Sequence, residues 1–153
     1  MSEYIARLRE RVGHELLLLA SVAVLVRDDR GALLLMSSAD TGLWQTIGGA
    51  IDPDESPASA ARREALEEAG IDVELRGIVA VLGGPQYRWT YPNGDQTAYV
   101  TIVYDAAVAA GTPLADGDEA LDVRWWSVDE LGECEMNDFT RSLLFEAGVT
   151  GTP

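Results

Sequence analysis

Glu64, Glu67 and Glu68 stand at positions i, i+3 and i+4 of one short segment. On a helix that spacing brings three carboxylates to one side. Such a set of hard oxygen donors suits Mg²⁺ or Mn²⁺, ions that complete their shells with water and phosphate oxygens. The chain's one His and one Cys offer no competing softer set, which argues against zinc. A divalent ion beside a phosphoanhydride can neutralise charge, activate an in-line water and stabilise the departing phosphate. Without ions the arrangement is costly. Like charges four apart destabilise a helix by roughly 0.2–0.5 kcal/mol per pair, and the acids sit in the half where the helix dipole disfavours them. The plainer reading is a solvated helix face, and the three residues alone do not exclude it.

Local signals bound this helix. Ser56 is a good N-cap and Pro57 suits the first helical position. Residues 58–69 are rich in Ala, Arg, Glu and Leu, and Gly70 is a natural left-handed stop. Ala58, Ala61, Ala65, Leu66 and Ala69 are expected to pack inward, with small side chains that let the helix lie close to a sheet.

The wider pattern is Gly49, Glu55, then Arg63-Glu64-Ala65-Leu66-Glu67-Glu68-Ala69-Gly70-Ile71. It resembles the Nudix box, the signature of hydrolases that cleave nucleoside diphosphates linked to another group. Every position of the box agrees, with Ala65 as an undersized aliphatic. The resemblance implies that Glu64, Glu67 and Glu68 bind Mg²⁺ or Mn²⁺, joined by the Gly49 carbonyl. It implies that Glu55 supports the cluster and that Arg63 orients Glu55 or a ligand glutamate, although an ordinary intrahelical ion pair explains Arg63 equally well. The general base is either a box glutamate or a later acid. Glu119 matches the family's frequent acid before the last sheet strand, and Asp118 is its neighbour. On the substrate side Trp44 and Tyr91 are candidates for stacking, with Tyr87 and Trp89 nearby, and Arg88 for a phosphate contact. Plain packing is the alternative for each aromatic. Two positions depart from the family habit. Ile47 replaces a frequent Pro, and Met36-Ser37-Ser38 lacks a frequent basic pair. Arg27, Arg88 or metal alone would then have to meet the phosphates.

The chain has 153 residues, 47% apolar and 24% charged, with a net charge of -15. That is an ordinary composition for one globular domain, taken here as residues 1–153. The negative field works against nucleic-acid and acidic-membrane partners but admits a small phosphorylated substrate once cations neutralise the site. No apolar run reads as a membrane span. Leu16 to Val26 reads as a strand rather than a leader, and the single Cys134 fits a reducing, cytoplasmic compartment. The oligomeric state stays open, with a homodimer among the options.

In chain order the pattern predicts an N-terminal helix within residues 1–14 and a strand over 15–26 joined by a turn to a second over 32–36, as a hairpin. A strand into Gly48-Gly49, the acidic helix, and a strand over 71–82 follow. A long hairpin pairs 87–91 with 96–108 around Pro92-Asn93-Gly94-Asp95. A strand over 120–127, a helical turn at 128–131 and a C-terminal helix over 137–148 complete the chain. The fold class is α/β. By resemblance it is a Nudix-like α/β/α sandwich with a mixed β-sheet. The expected activity is metal-dependent hydrolysis of a pyrophosphate bond, in a nucleoside diphosphate linked to another moiety or in a nucleoside triphosphate. The alternatives are a silent Nudix-like nucleotide sensor and an acidic interaction domain.

Overall fold

The acidic segment is capped as its residues dictate. The Ser56 hydroxyl oxygen accepts the Ser59 amide at 3.1 Å, Pro57 takes the first turn, and Gly70 ends the helix at φ 63°. The computed structural model describes residues 3–152. Its elements are α1 (Glu3–Val12), β1 (Leu17–Val26), β2 (Leu33–Ser38), β3 (Trp44–Ala50), α2 (Pro57–Ala69), β4 (Asp72–Leu82), β5 (Arg88–Thr90), β6 (Gln96–Ala110), β7 (Ala120–Trp126) and α3 (Asp138–Glu146). Short 3₁₀ turns at Pro85–Tyr87 and Val128–Gly132 precede β5 and follow β7.

The strands form a mixed sheet in the order β4-β6-β1-β3-β2-β7, with β5 also on β6. β1 and β6 run parallel from Leu17↔Thr97 to Val26↔Ala106, while the other pairs are antiparallel. Alternation along β1 divides the interior in two. Val22, Val24 and Val26 face α2 with Ala60, Ala61, Ala65 and Ala69, while Ala23 and Leu25 face Leu143 and Leu144 of α3. This is the expected α/β/α sandwich.

One pairing differs from expectation. β1 and β2 are not a hairpin. Arg27 and Leu33 meet in an isolated bridge, after which β3 lies between the two strands. The first part of β3 (44–46) pairs with β2 and the second (47–50) with β1, so β3 is the seam where the sheet opens. Glycine makes the seam possible. Gly48 adopts φ 148°, and any Cβ there would collide with the Val22 backbone. The turn residues 28–31 signalled a reversal correctly, but strand partners are chosen by contacts distant in sequence.

Leu66 also departs from expectation, being 54% exposed. The buried stripe of α2 is Ala60, Ala61, Glu64, Ala65, Glu68 and Ala69. Two glutamates therefore belong to the inward face, and Leu66 falls on the opposite side.

Candidate active site

Glu64 and Glu68 are 7% and 4% exposed, placed by the α2 stripe against the β3 glycines. The Gly48 amide donates to Glu68 Oε2 at 2.9 Å. Gly49 has no room for a side chain, since a Cβ there would lie 2.5 Å from Glu64 Oε1. Glu67 falls one step outside the stripe, and its side chain is 59% exposed. The three carboxylates are thus two buried groups and one at the rim.

Arg63 ties the loop to the helix. Its Nε and Nη2 donate to the two oxygens of Glu55, both at 2.9 Å. Nη1 donates to Glu64 at 2.7 Å and Glu67 at 3.1 Å, and Nη2 also donates to the Ala50 carbonyl at 3.1 Å. The Asp52 amide completes Glu55 at 3.2 Å. A planar guanidinium alone can serve so many acceptors at once. The Arg63 fork and the Asp52 amide hold the Glu55 carboxyl below the usual range against the opposing effect of burial, while its anionic partners raise Arg63.

Burial pushes Glu64 up despite Arg63, and Glu67 and Glu119 add to the rise. Burial pushes Glu68 up further, opposed by the Gly48 amide and aided by the charges of Glu64, Glu119 and Asp116. Glu64 shares the single Arg63 cation with Glu55 and Glu67, while the Gly48 amide is the partner of Glu68.

They open onto a cleft of about 930 Å³ running along the sheet seam. Its lining joins α2 with Ser21 of β1, Thr46 of β3, Tyr99 and Thr101 of β6, and Asn137 before α3. The Ser21 and Thr101 hydroxyls hydrogen-bond at 2.7 Å, the Tyr91 and Tyr99 hydroxyls also at 2.7 Å, and Asn137 Nδ2 donates to Gln45 at 3.3 Å. Polar side chains in a strand interior are the sequence signal for this wall. Ser21 interrupts a run of aliphatics, but nothing in the spacing shows that it meets Thr101.

The cleft brings together Gly49, Arg63, Glu64, Glu67, Glu68, Tyr91, Asp118 and Glu119. Glu119 is close enough to raise Glu64 and Glu68. Tyr91 is raised by burial first and then by its neighbours Tyr99, Asp40 and Glu119. Trp44, Arg27 and Arg88 are not part of the lining. Trp44 packs edge-on against Trp126, with centroids 5.2 Å apart, in the core under α3. Arg27 is paired with Asp105 at 3.0 Å. Arg88 is exposed on β5, where alternation turns Trp89 toward the cleft instead. Tyr87 is fully buried against Phe139 and donates to Glu146 at 3.0 Å.

Among the described residues no three His, Cys, Asp or Glu side chains form a ready-made ion cage. The donor set nonetheless fits a hard divalent ion. Glu64 and Glu68 supply buried carboxylate oxygens beside the Gly49 backbone, Glu67 adds a third carboxylate at the rim, and one arginine serves four acidic groups of this cluster only in part.

A family model described as NUDIX domain matches residues 17–146. The chain belongs to the Nudix family. A candidate 8-oxo-dGTP diphosphatase of Bacillus subtilis (strain 168) is 31% identical over 108 residues, 71% of this chain and 66% of that one. The nucleoside triphosphatase NudI of Klebsiella pneumoniae (strain 342) is 30% identical over 134 residues, 84% of this chain and 95% of its own length. The MutT protein of Methanosarcina mazei Go1 superposes with a TM-score of 0.73 at 24% identity, over 88% of this chain and 95% of that one. The chain is a Nudix-type pyrophosphohydrolase, and Nudix hydrolases generally use divalent metal ions. Among the described residues no helix is long and apolar enough to cross a membrane.

Proposed function

We propose that this Nudix chain hydrolyses a nucleoside triphosphate to the nucleoside monophosphate and pyrophosphate, with Mg²⁺ or Mn²⁺ held by Glu64 and Glu68 and completed by Glu67 and the Gly49 carbonyl. The observation that carries the reading is the buried Glu64–Glu68 pair, in which Arg63 reaches Glu64 but not Glu68, at the wall of a nucleotide-sized cleft. The names of the Bacillus and Klebsiella relatives support a triphosphate over a diphosphate linked to another moiety. When bound, the ion neutralises phosphate oxygens and makes water more acidic.

The chain's own residues do the rest. Arg63 fixes Glu55 and Glu64 and keeps the loop against α2. The Gly48 amide holds Glu68 in place. Glu119, across the cleft, takes the proton of the attacking water. Tyr91 and Tyr99 border the space for the nucleoside.

A panel of nucleoside triphosphates and nucleoside diphosphate derivatives, incubated with Mg²⁺ or Mn²⁺ in ¹⁸O-water, tests this. Monophosphate and pyrophosphate from a triphosphate are the expected products. Tight nucleotide binding without turnover would instead favour the silent sensor.

A further inference from the structure

Helix α1 lies outside the matched residues 17–146, yet Ile5 and Arg9 line the cleft. Arg9 is a clamp. Its Nη1 donates to the Gly13 carbonyl at 3.1 Å and the Glu15 carbonyl at 2.6 Å, and its Nη2 to the Gln96 carbonyl at 2.7 Å and Thr97 Oγ1 at 3.2 Å. Its Nε also faces Asp95 at 3.6 Å, and both side chains are 10% exposed.

Asp95 in turn closes the turn between β5 and β6. It meets His14 Nδ1 at 2.7 Å and accepts from Asn93 Nδ2 at 3.0 Å, while its carbonyl accepts the Tyr91 amide at 2.9 Å. Tyr91 then reaches into the cleft to meet Tyr99. An unbroken set of contacts therefore runs from α1 through Arg9 and the Asp95 turn to Tyr91.

The strand register places this end of the cleft away from the glutamates. Arg9 grips the row of Leu17 and Thr97, whereas Gly48 lies beside Ala23. Six residues of strand at about 3.3 Å each separate the two rows by roughly 20 Å. At the far end Ile5, Trp89, Tyr91, Pro92, Tyr99 and Phe139 stand beside Arg9 and Asp95, whose charges face each other, so the surface left for a ligand suits a base and sugar rather than phosphates.

We propose that α1, clamped by Arg9, builds the nucleoside end of the cleft by seating the 91–95 turn, so that it sets affinity for the nucleoside half of the substrate. The inference rests on the nucleotide reading above but does not depend on which bond is cut. Arg9 is a positioning residue, because its donors are spent on the protein.

Binding separates the two claims, with a non-hydrolysable α,β-imido nucleoside triphosphate and imidodiphosphate as probes in the presence of Mg²⁺. Arg9→Gln is expected to weaken the nucleotide analogue roughly tenfold while leaving imidodiphosphate unchanged. In turnover assays the same variant raises KM far more than it lowers kcat. Arg27→Gln, which breaks the Arg27–Asp105 pair outside the cleft, controls for lost stability and leaves both affinities as in wild type. Should Arg9→Gln not fold, Tyr91→Ala carries the same expectation. Equal weakening of both probes, or an unchanged affinity for the nucleotide analogue, overturns the proposal. A wild-type chain that binds the analogue without cutting triphosphates removes the hydrolytic reading alone, whereas one that does not bind it removes both.

Discussion

A buried carboxylate without a cation gives stability a direction with pH. Burial holds Glu68 protonated above the ordinary value of 4.5. Between that value and the raised one, the folded chain keeps a proton that the unfolded chain releases, so ion-free stability falls as pH rises through the window. Glu55 acts oppositely. Its lowered carboxyl contributes stability above 4.5 that is lost as pH falls through the depressed value. Glu68→Gln removes only the first effect. Ion-free wild type should therefore lose melting temperature relative to Glu68→Gln as pH climbs above 4.5. A gap that stays constant across that range would contradict the burial argument. Gly49→Ala tests the same carboxyls sterically. A Cβ 2.5 Å from Glu64 Oε1 must displace it, so Mg²⁺ affinity measured by calorimetry should fall. At this scale the box residues were legible because their types and spacing are local. The burial of Glu64 and Glu68 but not Glu67 was not legible, because it depends on which arc of α2 meets the sheet.

Among the elements, α2 owes its position to its ends and to its small side chains. Ser56→Ala loses the acceptor for the Ser59 amide and should cost about 1 kcal/mol in chemical denaturation. A cost near zero would mean that packing alone sets the start of the helix. Both caps could be read from Ser56, Pro57 and Gly70, because capping is written in adjacent residues. The strand partners could not. Asp28 and Gly31 predict a turn, and the turn exists, yet β3 separates the strands it joins. The pairing follows from Gly48, whose missing Cβ lets β3 approach β1, and from hydrophobic faces that must be buried together. Trp44 and Arg88 were attractive from their places beside the box and on the hairpin, but strand alternation turns Arg88 away from the cleft and Trp44 is taken up by packing on Trp126, a contact distant in sequence.

For the molecule as a whole, charge is the governing quantity. The net charge is -15, and the carboxylates lining the cleft outnumber its two arginines, Arg9 and Arg63, both committed to internal partners. An anionic nucleotide approaches such a surface against repulsion, so its KM should fall as ionic strength rises from about 0.01 M to 0.1 M at fixed Mg²⁺. A KM that rises with salt would indicate a cationic patch that the cleft does not display. If the folded chain binds Mg²⁺ as proposed, its melting temperature should also rise with Mg²⁺ concentration, and a melting temperature that ignores the ion would contradict that proposal.

Pyrophosphate cleavage is proposed to centre on the buried glutamate pair. Its most direct test is the triphosphate turnover of Glu68→Gln beside wild type at saturating Mg²⁺, with circular dichroism to verify the fold. A loss of at least about a hundredfold with the fold intact is predicted, since charge stabilisation at such a centre is worth several kcal/mol. Turnover close to that of wild type in the folded variant would contradict it.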